Sequence, residues 1–187
     1  MTPAEIADQL NQLFGDATAL IAPGSWQIET PEFRLLVLLS DDESWLRVLV
    51  PIAPMQDAHP FYEQILEANF DHTQEVRYAI QQEVLWGVFQ HRLAGLENTD
   101  FTAAMQRLID LRKQGLDECF NRLIENRVRQ IIRAAKLQGQ SLEETMKTLE
   151  RFYQEGIMGD MSAGAQARQE TLDAWKYQLD RLWNEAN

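Results

Sequence analysis

Two neighbouring segments, FRLLVLLS (33–40) and WLRVLVPI (45–52), are apolar at nearly every position. A strand with one solvated face alternates apolar and polar residues, whereas a strand covered on both faces does not need to. Only a short polar run, Asp41 to Ser44, separates the two segments, so they are predicted to be antiparallel neighbours joined by a hairpin. A sheet of this kind requires a cover on each face, and helices of the same chain can supply one of them.

The residues around this hairpin predict further strands and helices. A capping box at Thr2 to Glu5 starts a first helix, SWQIET (25–30) alternates as a strand, and residues 54–70 end in a short helix. EVRYAIQQ (75–82) and EVLWGVFQHRL (83–93) are two more strands, and a long helix begins near Asn98. The predicted fold is α+β, with helices packed on an antiparallel sheet of about five strands in the order α-β-β-β-α-β-β-α. Gly87, inside the last strand, indicates a bulge or a close backbone approach.

The last seventy or so residues show helical periodicity and no strand pattern. Apolar residues recur at helical spacing from Leu116, a second capping box joins Ser141 and Glu144, and GDMSAGA (159–165) predicts a break before a final helix. We therefore expect two regions, an α+β domain at 1–115 and a C-terminal helical hairpin or bundle at 116–187.

The net charge of −12 is unevenly distributed. Residues 1–97 contain 15 acidic and 4 basic residues, and residues 98–187 contain 14 acidic and 13 basic ones. An acidic half disfavours nucleic-acid binding through that half, and it indicates either solubility or attraction of basic partner segments. A basic run at 122–136 could bind RNA or an anionic membrane, but it lacks interleaved aromatic residues, so pairing with the acidic first half is preferred.

Other compositional features indicate a soluble cytoplasmic protein. Cys119 is the only cysteine, so no disulfide can form within the chain, and nothing indicates secretion. The first ten residues lack the pattern of a signal peptide, and the longest apolar runs are too short to span a bilayer.

Catalytic motifs are missing from the sequence. It contains no glycine-rich nucleotide loop, no H-E-x-x-H and no C-x-x-C. His59, His72 and His91 are too scattered to form a local metal motif, and the acidic residues at 41–43 are typical of a hairpin turn. We expect no catalysis, no cofactor and no metal.

Four segments together resemble a known family. They are LEANF (66–70), RYAI (77–80), EVLWGVFQHRLAGL (83–96) and TDFTAAMQRLIDL (99–111). This order is similar to that of the class I type III secretion chaperones and their wider superfamily of small bacterial chaperone-like proteins, and the match covers about residues 1–115. The resemblance implies a homodimer that holds an extended segment of a client protein, without ATP and without catalysis. A regulatory or scaffolding module with the same fold is the alternative.

The resemblance also implies which residues make contacts. The first helix and first strands would contact the client, with the candidates Leu13, Phe14, Leu36, Leu38, Leu46 and Val48. The last strand and the middle helix would form the dimer interface, with the candidates Leu66, Phe70, Trp86 and Val88. For each of these residues the alternative is an ordinary place in the core. Members of the family usually end soon after the closing helix, so this sequence departs from the family near Gly115.

Overall fold

The computed structural model of the chain describes residues 1–154 and 165–185. The chain divides into two compact units, Met1–Phe120 and Asn121–Asn187. Helix α4 of the first unit ends at Gln114, and Gly115 follows it with a positive φ of 56°, a conformation that favours glycine.

The first unit contains six antiparallel strands and the helices that cover them. In chain order its main elements are α1 (Pro3–Phe14), β1 (Thr18–Ala22), β2 (Ser25–Glu29), β3 (Arg34–Leu39), β4 (Trp45–Pro54), α2 (Met55–Ala58), α3 (Tyr62–Phe70), β5 (Arg77–Gln81), β6 (Val84–Arg92) and α4 (Asn98–Gln114). The strands lie in the order β1-β2-β3-β4-β6-β5, so β1 and β5 are the edges. The predicted α+β class is confirmed, with six strands in place of about five. Strand β1 was missed because TALIA is short and lacks a clear alternation of polar and apolar residues.

The core lies between one face of the sheet and the helices. Buried side chains on that face include Leu35, Val37, Leu46, Val48 and Val50, and they form one cluster with buried residues of α1, α3 and α4. The capping box predicted at the start of α1 is confirmed, because the Thr2 hydroxyl accepts from the Glu5 N–H and the Glu5 carboxylate accepts from the Thr2 N–H.

Gly87 lies where the sheet comes close to α4. A Cβ atom at this position would lie 2.9 Å from Val50 Cγ1 and 3.1 Å from Leu108 Cδ2. Gly87 pairs with both Val50 and Tyr78 in the sheet. The close approach predicted from the sequence is therefore confirmed, and no bulge is present at Gly87 itself.

The second unit is helical and has a core of its own. It contains helix α5 (Asp117–Leu137) from Asn121 onwards, α6 (Leu142–Gln154) and α7 (Ala165–Trp183). These helices contribute buried side chains, among them Val128, Ile132, Leu149, Leu179 and Leu182. Arg129, from the basic run at 122–136, is ion-paired with Glu125 at 2.8 Å and with Glu185 at 3.0 Å. For this arginine, pairing within the second unit replaces the predicted match with the acidic first half. The predicted break at 159–165 lies outside the described residues except for Ala165.

Candidate functional site

The sheet of the first unit has a second face, opposite the one that packs against the helices. Residues that pair across antiparallel strands point to the same face, so one row follows from the register: Gln27, Leu36, Leu49, Val88 and Arg77 on five neighbouring strands. We call this surface the open face. Leu36 and Leu49 are half-buried on it, outside the main core cluster.

A shallow depression of about 500 Å³ occupies the centre of the open face. Its apolar lining includes Leu36, Leu49, Ala79, Trp86 and Val88, and its polar lining includes Arg47, Arg77 and Gln90. The Trp86 indole N–H donates to the Gln81 carbonyl at 3.0 Å, which fixes the orientation of the ring. A depression with an apolar floor and a polar border can accept apolar side chains of a ligand while its border binds polar groups.

The open face also carries the basic residues of the first half of the chain. Arg34, Arg47, Arg77 and Arg92 are the four basic residues among residues 1–97, and the strand register places all four on this face. Arg34 is ion-paired with Glu29, its neighbour across the strands. The hydrogen bond from Arg34 holds the pKa of Glu29 below its usual value, so this carboxylate stays charged and neutralises Arg34.

Among the predicted client contacts, Leu36 and Leu38 lie half-buried on the open face. The prediction of Leu46 and Val48 as surface contacts is wrong, because both are fully buried in the core on the helical side. Their neighbours Arg47 and Leu49 point to the open face and were missed. The charged residue inside an apolar strand was the available signal, since a charge rarely points into a core.

The other two predicted client contacts lie elsewhere, near edge strand β1. Leu13, at the end of α1, is 38% exposed, and the Phe14 ring packs edge-on against Phe33 at 6.2 Å between centroids. Leu20 and Ile21 on β1, which the sequence pattern did not predict as contacts, are 65% and 54% exposed. The structure therefore does not bring the six predicted client residues together.

The four predicted dimer residues lie on either side of the other edge strand, β5. Leu66 and Phe70 are one turn apart on α3 and are 69% and 95% exposed. Leu66 and Ile80 line a second depression, of about 200 Å³. Trp86 and Val88 lie on the open face instead, and Ala79 and Ile80 line both depressions. The depression on the open face and the one beside α3 therefore meet at β5.

The free edge of β5 is capped at one point by a side chain. The Tyr78 N–H donates to Asn69 Oδ1 at 2.8 Å, and Asn69 Nδ2 donates to the Tyr78 carbonyl at 3.2 Å. Gln82 and Glu83 form a two-residue turn in which both φ angles are positive, and this turn fixes the β5–β6 register. A strand edge that is partly satisfied in this way has fewer groups available for unspecific pairing.

Replacing Asn69 with alanine is expected to lower the free energy of unfolding of the first unit by about 1–3 kcal/mol, because the backbone groups of Tyr78 lose their partner in a partly buried position. Urea denaturation measures the change in the free energy of unfolding, and native-state hydrogen exchange at β5 amides measures the local effect. Asn11→Ala on the exposed side of α1 is the control. Equal stability of the two variants would contradict the role given to Asn69.

The described part of the chain contains neither a metal-binding cluster nor a membrane-spanning helix. No group of three or more His, Cys, Asp or Glu side chains within it could hold a metal ion. Over the same residues, no helix combines the length and the apolar character needed to cross a membrane.

Comparison with known proteins gives matches in structure alone. No protein-family model matches the sequence, and no curated protein matches it. A chain of the ExoU–SpcU complex from the type III secretion system of Pseudomonas aeruginosa is similar over 60% of this chain and 96% of its own, with 14% identity and a TM-score of 0.49.

Two further solved structures are similar to a comparable extent. One is the Yersinia pestis type III secretion chaperone SycH with a fragment of YscM2, at 11% identity over 60% of this chain and 98% of that chain, with a TM-score of 0.48. The other is the HopA1–SchA chaperone–effector complex, at 10% identity over 59% and 88%, with a TM-score of 0.47. The predicted resemblance to type III secretion chaperones is thus confirmed, and it concerns the fold.

Proposed function

We propose that the chain is a non-catalytic, cytoplasmic protein-binding adaptor of the chaperone type, which holds an extended segment of a client protein on the open face. The observation that carries the proposal is the depression on the open face, where Leu36, Leu49 and Trp86 remain half-buried. Apolar side chains that converge in a concave surface with a polar border are typical of a binding site for another molecule.

The client path extends from the open face to edge strand β1. A client segment that crosses β2 on the open face and then wraps around the β1 edge reaches the exposed Ile21 and Leu20, of which the register places Leu20 on the helical side. The free backbone groups of an edge strand can pair with an extended segment, and neighbouring apolar side chains add contact area. Leu13 and Phe14, at the end of α1, complete this part of the path.

The functional unit in this proposal is a homodimer. Phe70 at 95% exposure and Leu66 at 69% are large apolar side chains one turn apart, and Ile80 of β5 is also exposed, at 45%. A second copy that binds along β5 covers these three residues and borders on Trp86 and Val88. Burial of such residues is the main driving force of stable association.

Selection of a displayed library of random peptides on the full-length protein tests the proposed function. Recovered peptides are expected to bind Leu36→Gln/Leu49→Gln at least about tenfold more weakly than the wild type, because two apolar contacts are lost. Circular dichroism and a thermal melt show whether the double variant is folded. Leu137→Gln, at a residue 90% exposed in the second unit, is the control and should bind like the wild type.

Failure to recover any peptide, or equal binding by the folded double variant, would contradict the proposal. Binding of folded domains together with a failure of the peptide selection would favour a scaffolding role instead.

A further inference from the structure

The distribution of charge in residues 1–97 is asymmetric between the two sides of the sheet. Residues 1–97 contain 15 carboxylates and 4 arginines, and all four arginines lie on the open face. Among the side chains that the register places there on β2 to β6, Glu29 is the one carboxylate, and it is ion-paired with Arg34. Arg47, Arg77 and Arg92 therefore form a local positive surface within an acidic half of the chain.

These three arginines keep most of their hydrogen-bonding capacity. The Arg47 guanidinium lies over the Trp45 ring, 5.1 Å from its centroid, and Arg77 Nη2 donates to Gln90 Oε1 at 3.0 Å. Arg92 is exposed on the strand opposite Trp45. None of the three has an ion-pair partner among the described residues. A guanidinium has five N–H donors, so each can bind a carboxylate.

The distance between the arginines and the apolar row matches the side-chain repeat of one extended segment. Arg47 is two residues from Leu49 on the same face of β4, a distance of about 7 Å along the strand. Arg77 lies opposite Val88 at the β5 end of the row. In an extended segment, side chains two residues apart point the same way and are also separated by about 7 Å. One carboxylate side chain of such a segment can therefore reach an arginine while an apolar side chain two residues away contacts the apolar row.

We propose that the segment held on the open face is acidic as well as apolar, with Asp or Glu side chains bound by Arg47, Arg77 and Arg92 and apolar side chains in the depression. The inference rests on the proposed function and specifies the chemistry of the client. The carboxylates elsewhere in residues 1–97 repel an acidic segment, which confines it to this face.

A nucleic acid fits the open face less well than an acidic peptide. Base stacking needs open aromatic faces, but Arg47 covers one side of Trp45, and Trp86 is half-buried with its indole N–H bonded to the Gln81 carbonyl. The charge of the remaining surface repels phosphates. A second copy also fits poorly, because a symmetric pairing of two open faces brings arginines close to arginines.

The test uses the peptides selected on the full-length wild-type protein. They are expected to combine Asp or Glu with Leu, Ile, Val or Phe, and to bind Arg47→Gln/Arg77→Gln/Arg92→Gln roughly tenfold to a hundredfold more weakly. Added salt should weaken binding to the wild type and have less effect on the triple variant. The control Arg107→Gln/Arg112→Gln/Lys113→Gln removes the same charge from α4 and should bind like the wild type.

Each other outcome would overturn the inference. If the recovered peptides are neutral or basic and their binding still requires Leu36 and Leu49, the proposal of an acidic client is wrong and the proposed function stands. Recovery of no peptide would overturn both. Equal weakening by the two triple variants would show a general charge effect, and tighter, arginine-dependent binding of oligouridine than of the peptides would make the ligand a nucleic acid.

Discussion

Replacing Leu66 and Phe70 together with aspartate is expected to convert the proposed dimer into a monomer. Both side chains are largely exposed in the single chain. A twofold interface at β5 would bury both residues of each copy, four apolar side chains in total. Loss of four apolar contacts, with charges placed in the interface, is expected to raise the dissociation constant by at least about a thousandfold. Sedimentation velocity over a range of concentrations measures this.

The matched control is Leu20→Asp/Ile21→Asp, on the opposite edge strand. These residues are also more than half exposed but belong to the proposed client path, so the variant should remain a dimer and bind the selected peptides less tightly. A wild-type protein that is monomeric at all concentrations, or a Leu66/Phe70 variant that still dimerises, would contradict the assigned interface.

The variant Gly87→Ala is expected to lower the free energy of unfolding of the first unit by about 1–3 kcal/mol. The added methyl group would lie 2.9 Å from Val50 Cγ1 and 3.1 Å from Leu108 Cδ2, and both side chains are fully buried. A tightly packed core relieves such an overlap through shifts of α4 or of the strands, which cost about this much. Hydrogen exchange at β4 and β6 amides reports the first unit separately from the second.

Gly95→Ala provides the control because its Cβ would lie 3.7 Å from His91 Cε1, an ordinary contact. It should stay within about 0.5 kcal/mol of the wild type. If both alanine variants were equally stable, the close approach of α4 to β6 would not limit the residue at position 87.

The elements of the first unit were predictable where local patterns are strong. Thr2 and Glu5 have the spacing of a capping box, and the alternation of Val84, Trp86 and Val88 fixes their common face. Strand β1 was not predictable in this way, because an edge strand with exposed Leu20 and Ile21 has no buried face to impose an alternation.

The candidate site was harder to predict than the fold. In β3 and β4 nearly every residue is apolar, so the period of two does not show which residues face the helices, and Leu46 and Val48 were assigned to the surface in place of Leu49. The average charge of residues 1–97 indicated either solubility or a basic partner, but the sheet register gathers the arginines on one face. A charge average contains no information about which face carries which sign.

Methyl NMR of the full-length protein with a selected peptide tests whether the open face is the surface that binds the client. We expect the methyl signals of Leu36, Leu49 and Val88 to shift on binding, while those of Leu137 and Leu182 in the second unit stay in place. Shifts confined to the second unit, with none at Leu36 or Leu49, would show that the open face is not the surface that binds the client.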